Sequence, residues 1–290
     1  MQVLRRLHPQ IVVSLEYGRA FVDLRDRGVS WRLYINHEYE PSLQSLIQRM
    51  DLRGRTCVDI GANIGVHTLF LSRAVGPSGK VFAFEPDPRN ARLLDKTLRL
   101  NAADNVIAQR CAIGDREGTC WITTVRPRNW AQHRITEAPP LDRRAERVPM
   151  TTGDTALARA APGSIALIKI DVEGYERHVF QGLRATLALN PSAVITAEIF
   201  PAALSEAGSS AQALVELFRE LELDDYEFGD HRIMPLQDSS TYAWMTGSVV
   251  DVVLSRERGQ LEKLVAGWGA SRTVDTQPGA RRMRRRMRSS

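Results

Sequence analysis

An acidic residue and two glycines lie near residue 60, where a strand pattern ends and a helix pattern begins. Residues 56–60 have the apolar composition of a buried strand, and residues 64–75 have a helical pattern. Gly61 permits a sharp turn where the strand ends, and Gly65 lets the helix and a ligand approach the backbone closely. Asp59 is at the carboxyl end of the strand, where open α/β sheets bind ligands. This block predicts a strand–turn–helix unit of a parallel sheet.

Two positions of this turn separate it from a dinucleotide-binding fingerprint. The G-x-G-x-x-G pattern has a middle glycine so that the backbone can approach a pyrophosphate closely. In this chain Asn63 stands at the middle glycine position and Val66 at the last. The turn therefore suits a cofactor that lacks a pyrophosphate.

A second acidic residue ends the next predicted strand, at residues 80–85. Glu85 follows Asp59 by 26 residues and is part of the block Phe82-Ala83-Phe84-Glu85-Pro86. A carboxylate at this place can accept hydrogen bonds from both hydroxyls of a ribose. Asp59 alone is also compatible with a solvated loop acid, but the glycine turn and Glu85 together favour a nucleoside site.

A third polar block follows the predicted strand at residues 165–170. Lys169, one of four lysines in the chain, interrupts an apolar run and is followed by Asp171 and Glu173. A buried lysine is costly unless it is paired. Asp171 or Glu173 could accept a proton from a substrate hydroxyl, with Lys169 orienting the substrate or stabilising its alkoxide. The alternative is a structural ion pair that caps the following helix.

Strand and helix patterns alternate from residue 55 onward, which is typical of a parallel sheet with helices on both faces. Further strands are predicted at residues 106–112, 165–170, 193–200 and 249–254, with weaker ones at 226–228 and 233–234. Helices are predicted at residues 88–101, 175–188, 212–221 and about 261–268. The predicted fold is α/β, with a doubly wound, mostly parallel, Rossmann-like sheet over residues 51–270.

Two regions depart from this alternation. Residues 1–50 are predicted to form an extension, with two strands of a hairpin in residues 20–35 and a helix that begins at Pro41. Residues 118–150 contain a strand pattern at 121–125, and residues 126–146 are rich in Arg and Pro without a clear period. We expect this second stretch to be a long loop.

The positive charge of the chain comes from its last ten residues. The net charge is +5, yet residues 1–280 have 33 basic and 34 acidic groups, and six arginines fall within residues 281–290. We expect residues 271–290 to be a disordered, solvated tail. Binding of nucleic acid, anionic lipid or an acidic carrier is the alternative for these arginines.

Composition disfavours several classes of protein. Aromatic residues make up 7% of the chain, which does not indicate a stacking platform for single-stranded nucleic acid. The three cysteines form no CxxC pair, so neither a disulfide framework nor a zinc site is indicated. A signal peptide pattern and an apolar stretch of ~18 residues are both absent from the sequence. The expectation is a soluble, cytoplasmic protein without a membrane span.

The three blocks together resemble the FkbM family of methyltransferases. The resemblance runs in order over roughly residues 38–200, through Val58–Gly65, Phe82–Pro86 and Ile168–Gly174. It implies a Rossmann-like sheet, S-adenosylmethionine as the methyl donor, and O-methylation of sugars, polyketides or related metabolites. One departure is Thr152-Gly153-Asp154, where such proteins often have Thr-Leu-Asp.

The resemblance also implies roles for individual residues. The cofactor would be lined by residues of the first two blocks, with one residue after the third strand near the adenine: Asp59, Gly61, Ala62, Asn63, Gly65, Glu85, Pro86 and Ala112. Lys169, Asp171 and Glu173 would face the substrate.

Other polar residues have weaker indications. Glu198 could join the substrate site or hold a divalent cation with Asp171, but two carboxylates without a fixed spacing are poor evidence, and no metal is predicted. His67 could face the cofactor, but a surface or helix-packing role is favoured, and His178 is expected to be an exposed helix residue. His133 could reach the substrate. Tyr39 and Glu40 could fold over the cofactor or simply pack.

The predicted function is methylation of a small-molecule hydroxyl with S-adenosylmethionine. An RNA or protein methyltransferase that uses the basic tail is one alternative, although the near-neutral body does not indicate an extended phosphate footprint. A catalytically silent, cofactor-binding protein is the other alternative, and Lys169 and Asp171 argue against it.

Overall fold

A computed structural model describes residues 9–126, 128–137, 139, 144–229, 232–235 and 249–266. The predicted tail at residues 271–290 and the end of the last predicted helix lie outside the described residues.

The elements alternate along most of the chain. The strands are β1 (Gln10–Leu15), β2 (Gly18–Asp23), β3 (Thr56–Ile60), β4 (Lys80–Phe84), β5 (Val106–Gln109), β6 (Ala112–Gly114), β7 (Gly118–Arg126), β8 (Asn129–Thr136), β9 (Glu146–Thr152), β10 (Ile165–Ile170), β11 (Val194–Ile199), β12 (Asp224–Gly229), β13 (Arg232–Pro235) and β14 (Val250–Ser255). The helices are α1 (Val29–Asn36), α2 (Pro41–Ile47), α3 (Val66–Val75), α4 (Pro88–Leu100), α5 (Gly153–Ala156), α6 (Glu176–Gln181), α7 (Arg184–Leu189), α8 (Pro201–Glu206), α9 (Ala211–Glu220) and α10 (Arg258–Val265).

Eight of the described strands form a central sheet in the order β13-β12-β14-β11-β10-β3-β4-β5. The five strands from β11 to β5 run parallel, and β14, β12 and β13 extend the sheet through antiparallel pairs. A second sheet has the order β6-β9-β7-β8, and β1 pairs with β2 in a hairpin. The predicted α/β class with a mostly parallel sheet is confirmed.

Apolar residues cover both faces of the central sheet. On β3, Val58 and Ile60 belong to a cluster with Phe180 and Phe218, whereas Cys57 belongs to a second cluster on the opposite face. Because successive side chains of a strand point to opposite faces, β3 is buried on both sides. This is the doubly wound arrangement that the sequence predicts.

The N-terminal extension contains a hairpin and helices, but the predicted hairpin was placed wrongly. The hairpin is formed by β1 and β2, and the second predicted strand is instead helix α1. Leu33 and Val29 of α1 pack with the hairpin against Ile64 and Leu93 of the main sheet unit. The predicted boundary at residue 50 stays a prediction.

Three further predictions of secondary structure were wrong in part. The predicted loop at residues 126–146 contains strand β8, which pairs with β7. The predicted strand at residues 106–112 is two strands in different sheets, β5 and β6. The predicted helix at residues 175–188 is interrupted at Gly182, where a β-carbon would lie 1.9 Å from the carbonyl oxygen of Gly114.

The departure at Thr152-Gly153-Asp154 has a packing reason. A β-carbon on Gly153 would lie 2.3 Å from a methyl group of Leu183, so a larger residue at this position would require the leucine side chain to shift. Asp154 still caps α7, because its two carboxylate oxygens accept hydrogen bonds from the backbone of Ala185 and Thr186 at 3.0 and 2.7 Å.

Two expectations from composition can be compared with the described residues. The three cysteines are free and buried. In the described ranges no helix combines the length and the apolarity that crossing a membrane requires.

Candidate active site

A deep cleft opens at the carboxyl ends of β3, β4 and β10. Its volume is about 260 Å³, and the extension and the second sheet supply the walls opposite the central sheet. The predicted site residues that line it are Gly61, Ala62, Asn63, Glu85, Pro86, Ala112, Lys169, Asp171 and Glu173. The three sequence blocks therefore meet in one cavity.

Glu85 joins the first two blocks. One of its carboxylate oxygens accepts a hydrogen bond from the backbone N–H of Asn63 at 2.8 Å, and the other accepts one from the backbone N–H of Asp87 at 2.8 Å. Burial raises the pKa of Glu85 to about 7. Each carboxylate oxygen can accept more than one hydrogen bond, so Glu85 keeps acceptor capacity toward the cleft.

The cleft has an apolar side beside Glu85. Ala112 begins β6 and is buried, and it lines this side together with Phe84, Ile113, Ile122 and Ile135. Two of these residues come from β7 and β8 of the second sheet. An aromatic ring system without charge suits such a surface.

The opposite side of the cleft contains a buried lysine and several acids. The Lys169 ammonium lies 3.4 Å from Asp59, 3.3 Å from Asp171 and 3.1 Å from the carbonyl oxygen of Gly61. Burial opposes the charge of Lys169, but Asp171 and Asp59 outweigh it and raise its pKa above the ordinary value. Lys169 is therefore a fixed cation and a hydrogen-bond donor.

Two predicted cofactor residues do not reach the cleft surface. Asp59 is fully buried beneath it, where one oxygen accepts a hydrogen bond from the Thr68 hydroxyl at 2.6 Å and the other faces Lys169. Gly65 precedes α3, and a β-carbon there would lie 2.5 Å from a methyl group of Leu94. Both residues support the cleft from below, and their direct contact with a ligand stays a prediction.

The carboxylates on this side have raised pKa values. Burial, followed by the charge of Asp171, raises the pKa of Glu173 to about 8 and that of Glu198 to about 9. Burial and the charge of Glu40 raise the pKa of Asp171, although Lys169 opposes them. Acids with such values cluster where proton transfer occurs.

The extension contributes Glu40 to the same side. The Glu40 carboxylate lies 2.8 Å from Nε2 of His67, at the start of α3, and the Tyr39 ring packs beside the same imidazole. Burial alone would raise the pKa of Glu40, but His67 and Lys169 lower it to about 2. His67 is thus buried in the cleft wall, contrary to a surface position, and Tyr39 and Glu40 line the cleft.

His133 is part of the outer wall rather than of a loop. It lies on β8, and its Nε2 is 3.0 Å from the carboxylate of Asp87, which also pairs with Arg89 at 2.9 Å. Burial opposes ionisation of Asp87, but His133 and Arg89 hold its pKa below the ordinary value. His178 is half-buried, with its ring stacked on Tyr175 at 4.1 Å, and it does not line the cleft.

Comparison with known proteins identifies the family. A family model described as "Methyltransferase FkbM domain" matches residues 59–227, which is more than half of the chain. The chain belongs to the FkbM methyltransferase family. This FkbM chain is 31% identical over 159 residues to methyltransferase sdnD of Sordaria araneosa, covering 43% of the chain and 59% of the relative.

Other relatives match shorter parts of the FkbM chain. It is 28% identical over 106 residues to a transmembrane O-methyltransferase homolog of Rattus norvegicus, covering 36% of the chain and 38% of the relative. The chain thus spans less than two thirds of the length of these curated relatives. A solved structure of methyltransferase FkbM from Methylobacillus flagellatus KT is 17% identical, with a TM-score of 0.44 over 69% of this chain and 43% of that one.

The structure adds residues of the FkbM chain that the sequence blocks did not indicate. Arg32 and Gln132 line the cleft from α1 and β8, and no local pattern marks them.

Glu40, Asn63 and Glu173 all line the cleft and have positive φ angles of 48°, 51° and 53°. Left-handed backbone is uncommon for glutamate and tends to occur at functional sites.

Proposed function

We propose that the chain transfers a methyl group from S-adenosylmethionine to a hydroxyl of a small molecule such as a sugar, a polyketide or a related metabolite. The observation that carries the proposal is the position of Glu85, which hydrogen-bonds the backbone of the Gly61–Asn63 turn inside a cleft shared with Lys169, Asp171 and Glu173. Family membership and relatives named methyltransferases support the reaction class.

The residues of the cleft fit S-adenosylmethionine. Glu85 offers acceptor oxygens to two ribose hydroxyls, and the apolar side around Ala112 and Ile122 offers a surface to the adenine. When bound, the cofactor supplies a methyl group on a sulfonium that is already a good leaving group. Asn63, at the middle glycine position, would block the approach of a pyrophosphate, which this cofactor does not have.

The remaining task of the chain is to align the acceptor, exclude water and remove one proton. We assign the proton to the carboxylate of Glu173, because it lines the cleft together with Lys169 and Asp171 and makes no ion pair with a described residue. Asp171 is engaged by Lys169 at 3.3 Å. Lys169 stays protonated and stabilises the negative charge that develops on the acceptor oxygen.

The charge of the acceptor side supports a small molecule over RNA. Asp171, Glu173, Glu198 and Glu40 line this side, with Lys169 and His67 as neighbouring basic groups. Phosphate backbones are bound by clusters of Lys and Arg, and the described residues of this side form no such cluster. The other alternative is a protein that binds the cofactor without catalysing transfer, and a turnover measurement distinguishes it from an enzyme.

Calorimetry of the full chain tests the cofactor. We expect S-adenosylmethionine to bind, and Glu85→Ala to weaken binding by at least ~tenfold, because two hydrogen bonds to a charged acceptor are lost. Asp51→Ala removes an exposed acid outside the cleft and should leave the affinity unchanged. Binding of NAD in place of S-adenosylmethionine would contradict the proposed cofactor.

Turnover tests the reaction. Release of S-adenosylhomocysteine is measured with a panel of hydroxylated sugars and polyketides. For an acceptor that is methylated, Glu173→Gln should lower kcat by roughly 100-fold or more and leave the affinity for S-adenosylmethionine unchanged. Cofactor binding without turnover on any acceptor would instead favour a silent binding protein.

A further inference from the structure

Polar side chains form a row across one face of the central sheet, next to the acidic side of the cleft. In the parallel register, Lys169 of β10 lies opposite Thr196 of β11, so Asp171 and Glu198 follow at the next positions on the same face. Glu198 is the register partner of Asp251 on β14. The sheet therefore brings acids from neighbouring strands together at its carboxyl edge.

Three carboxylates converge at this edge. One oxygen each from Glu40, Asp171 and Glu198 lies within 4.8 Å of the other two. The Lys169 ammonium is shared between Asp59 and Asp171, and Glu198 makes no ion pair with a residue that the structure describes. Glu40 pairs with His67 and Asp171 with Lys169, so among the described residues Glu198 is the carboxylate of the three that has no basic partner.

A separate feature lies directly beside the carboxylates. The Thr196 side chain is 3% exposed, and its hydroxyl has no hydrogen-bond partner within the described ranges. Thr196 lines a small cavity whose other polar residues are Glu40, Lys169, Asp171, Glu198 and Asp251, and the volume of this cavity is about 10 Å³. That is close to the space that one water-sized particle needs. A buried hydroxyl without a partner indicates that a bound water molecule or ion contacts its oxygen.

We propose that this small cavity binds one divalent cation of the Mg²⁺ or Mn²⁺ class, held by the carboxylates of Glu40, Asp171 and Glu198 and by the hydroxyl of Thr196. A donor set made only of oxygen atoms suits these hard cations. The small cavity shares Glu40, Asp171 and Glu198 with the lining of the cleft, so a cation there would lie beside the substrate. The proposal replaces the expectation from the sequence that no metal is bound.

The cation site gives the acidic side of the cleft a chemical role, and this role rests on the proposed function. A cation held by Asp171 and Glu198 binds the acceptor hydroxyl oxygen and lowers the pKa of that hydroxyl. The proton then passes to Glu173, the oxygen–carbon bond to the methyl group forms, and the sulfur–carbon bond breaks. The acceptor is accordingly a molecule whose hydroxyl oxygen can enter the coordination shell of a hard cation.

Titration of the chelator-stripped full chain with Mn²⁺ tests the site, with free Mn²⁺ measured by electron paramagnetic resonance. We expect one Mn²⁺ per chain, and Glu198→Gln to weaken its binding by at least ~tenfold, because a charged ligand is lost. Glu173→Gln is the matched control, because it removes the same charge from the same cleft without removing a ligand. Its effect should stay below about threefold, as expected of a charge outside the coordination shell.

Thr196 gives a second, independent measurement. Thr196→Ser keeps the hydroxyl and should keep the Mn²⁺ affinity, whereas Thr196→Val removes the oxygen at nearly constant volume and should weaken binding. Circular dichroism and thermal unfolding establish that each variant is folded. An unmodified chain that binds no Mn²⁺, or equal affinities in Glu198→Gln and Glu173→Gln, would overturn the site.

Calorimetry with S-adenosylmethionine separates this inference from the proposed function. A chain that binds the cofactor but not Mn²⁺ contradicts the cation site and leaves the methyltransferase function standing. A chain that binds Mn²⁺ at Glu198 but no S-adenosylmethionine supports the site and contradicts the function.

Discussion

At the turn that follows β3, the backbone of Gly61 lies against the carbonyl group of Asp171. A β-carbon on Gly61 would lie 1.8 Å from that oxygen, and the residue has a φ of +81°. The turn therefore needs glycine for the close approach of two chain segments and for a left-handed backbone. This contact fixes the ends of β3 and β10, from which the two sides of the cleft are built.

Gly61→Ala should lower the free energy of unfolding by roughly 2–5 kcal/mol. The left-handed backbone costs an alanine ~1–2 kcal/mol, and the overlap with Asp171 adds ~1–3 kcal/mol. Gly163→Ala is the control, because Gly163 has a φ of +71° but open space around its β-carbon. It should lose only the backbone contribution in urea unfolding. Equal losses in the two variants would show that the contact with Asp171 is unimportant.

Glu85 should make cofactor binding depend on pH. Burial raises the pKa of Glu85 to about 7, and ribose hydroxyls donate hydrogen bonds best to the ionised carboxylate. The affinity for S-adenosylmethionine should therefore be constant above pH 8 and fall as the pH drops through 7, by about tenfold at pH 6.

Calorimetry between pH 6 and 8.5 measures this dependence, and Glu85→Gln is the reference because it cannot ionise. Its affinity should be lower at high pH and nearly independent of pH. A slope that is the same in Glu85→Gln and in the unchanged chain would assign the pH dependence to another group.

At the scale of elements, the sequence was most informative where local pattern and tertiary position agree. The strand–turn–helix units around Gly61 and Glu85 are short, continuous and bounded by glycine or proline, so their place in the sheet follows from the chain alone. The convergence of Glu85 and Lys169 on one edge also follows, because parallel strands end at the same edge of a sheet.

Helix α1 shows how two periods can compete in a short segment. Trp31, Leu33 and Ile35 alternate as in a strand, but Ile35 is 54% exposed, and the buried apolar residues are Val29 and Leu33, four positions apart. Both patterns include Leu33, so eight residues do not decide between them. The packing of α1 against the hairpin decides the outcome.

Other differences come from contacts between distant segments. Strand β8 is half-buried along most of its length and has no clean alternation, so its pairing with β7 determines it. The position of Asp59 beneath the cleft depends on Thr68 and Lys169, which come from two different elements. Glu40 and Glu198 likewise come close together only because the extension packs against the central sheet.

Asp26 joins the extension to the second sheet. One of its oxygens accepts hydrogen bonds from the backbone of Gly28 at 2.8 Å and Trp130 at 3.0 Å, and the other accepts one from Ser30 at 2.9 Å. Asp26→Ala should lower the free energy of unfolding by at least ~2 kcal/mol, because buried N–H groups lose their acceptor. Asp51→Ala, an exposed acid, should change it by less than ~0.5 kcal/mol in the same urea titration. An equally small change in both variants would contradict this role of Asp26.

At the scale of the whole molecule, charge is distributed very unevenly. Residues 1–280 are close to neutral, the acceptor side of the cleft is acidic, and six arginines fall within residues 281–290. Attraction between the acidic cleft and a cationic or metal-bound acceptor depends on the cleft residues. Retention of the protein on polyanions should depend on the final arginines.

Deletion of residues 281–290 should therefore separate surface charge from the reaction. The shortened chain should keep its affinity for S-adenosylmethionine and its free energy of unfolding, because the cleft is built from distant residues. It should lose its retention on heparin at low salt, as should a full-length chain in which the six arginines are replaced by glutamine. Loss of methyl transfer on deletion, together with activity that falls steeply with salt, would instead favour a nucleic-acid substrate held by the tail.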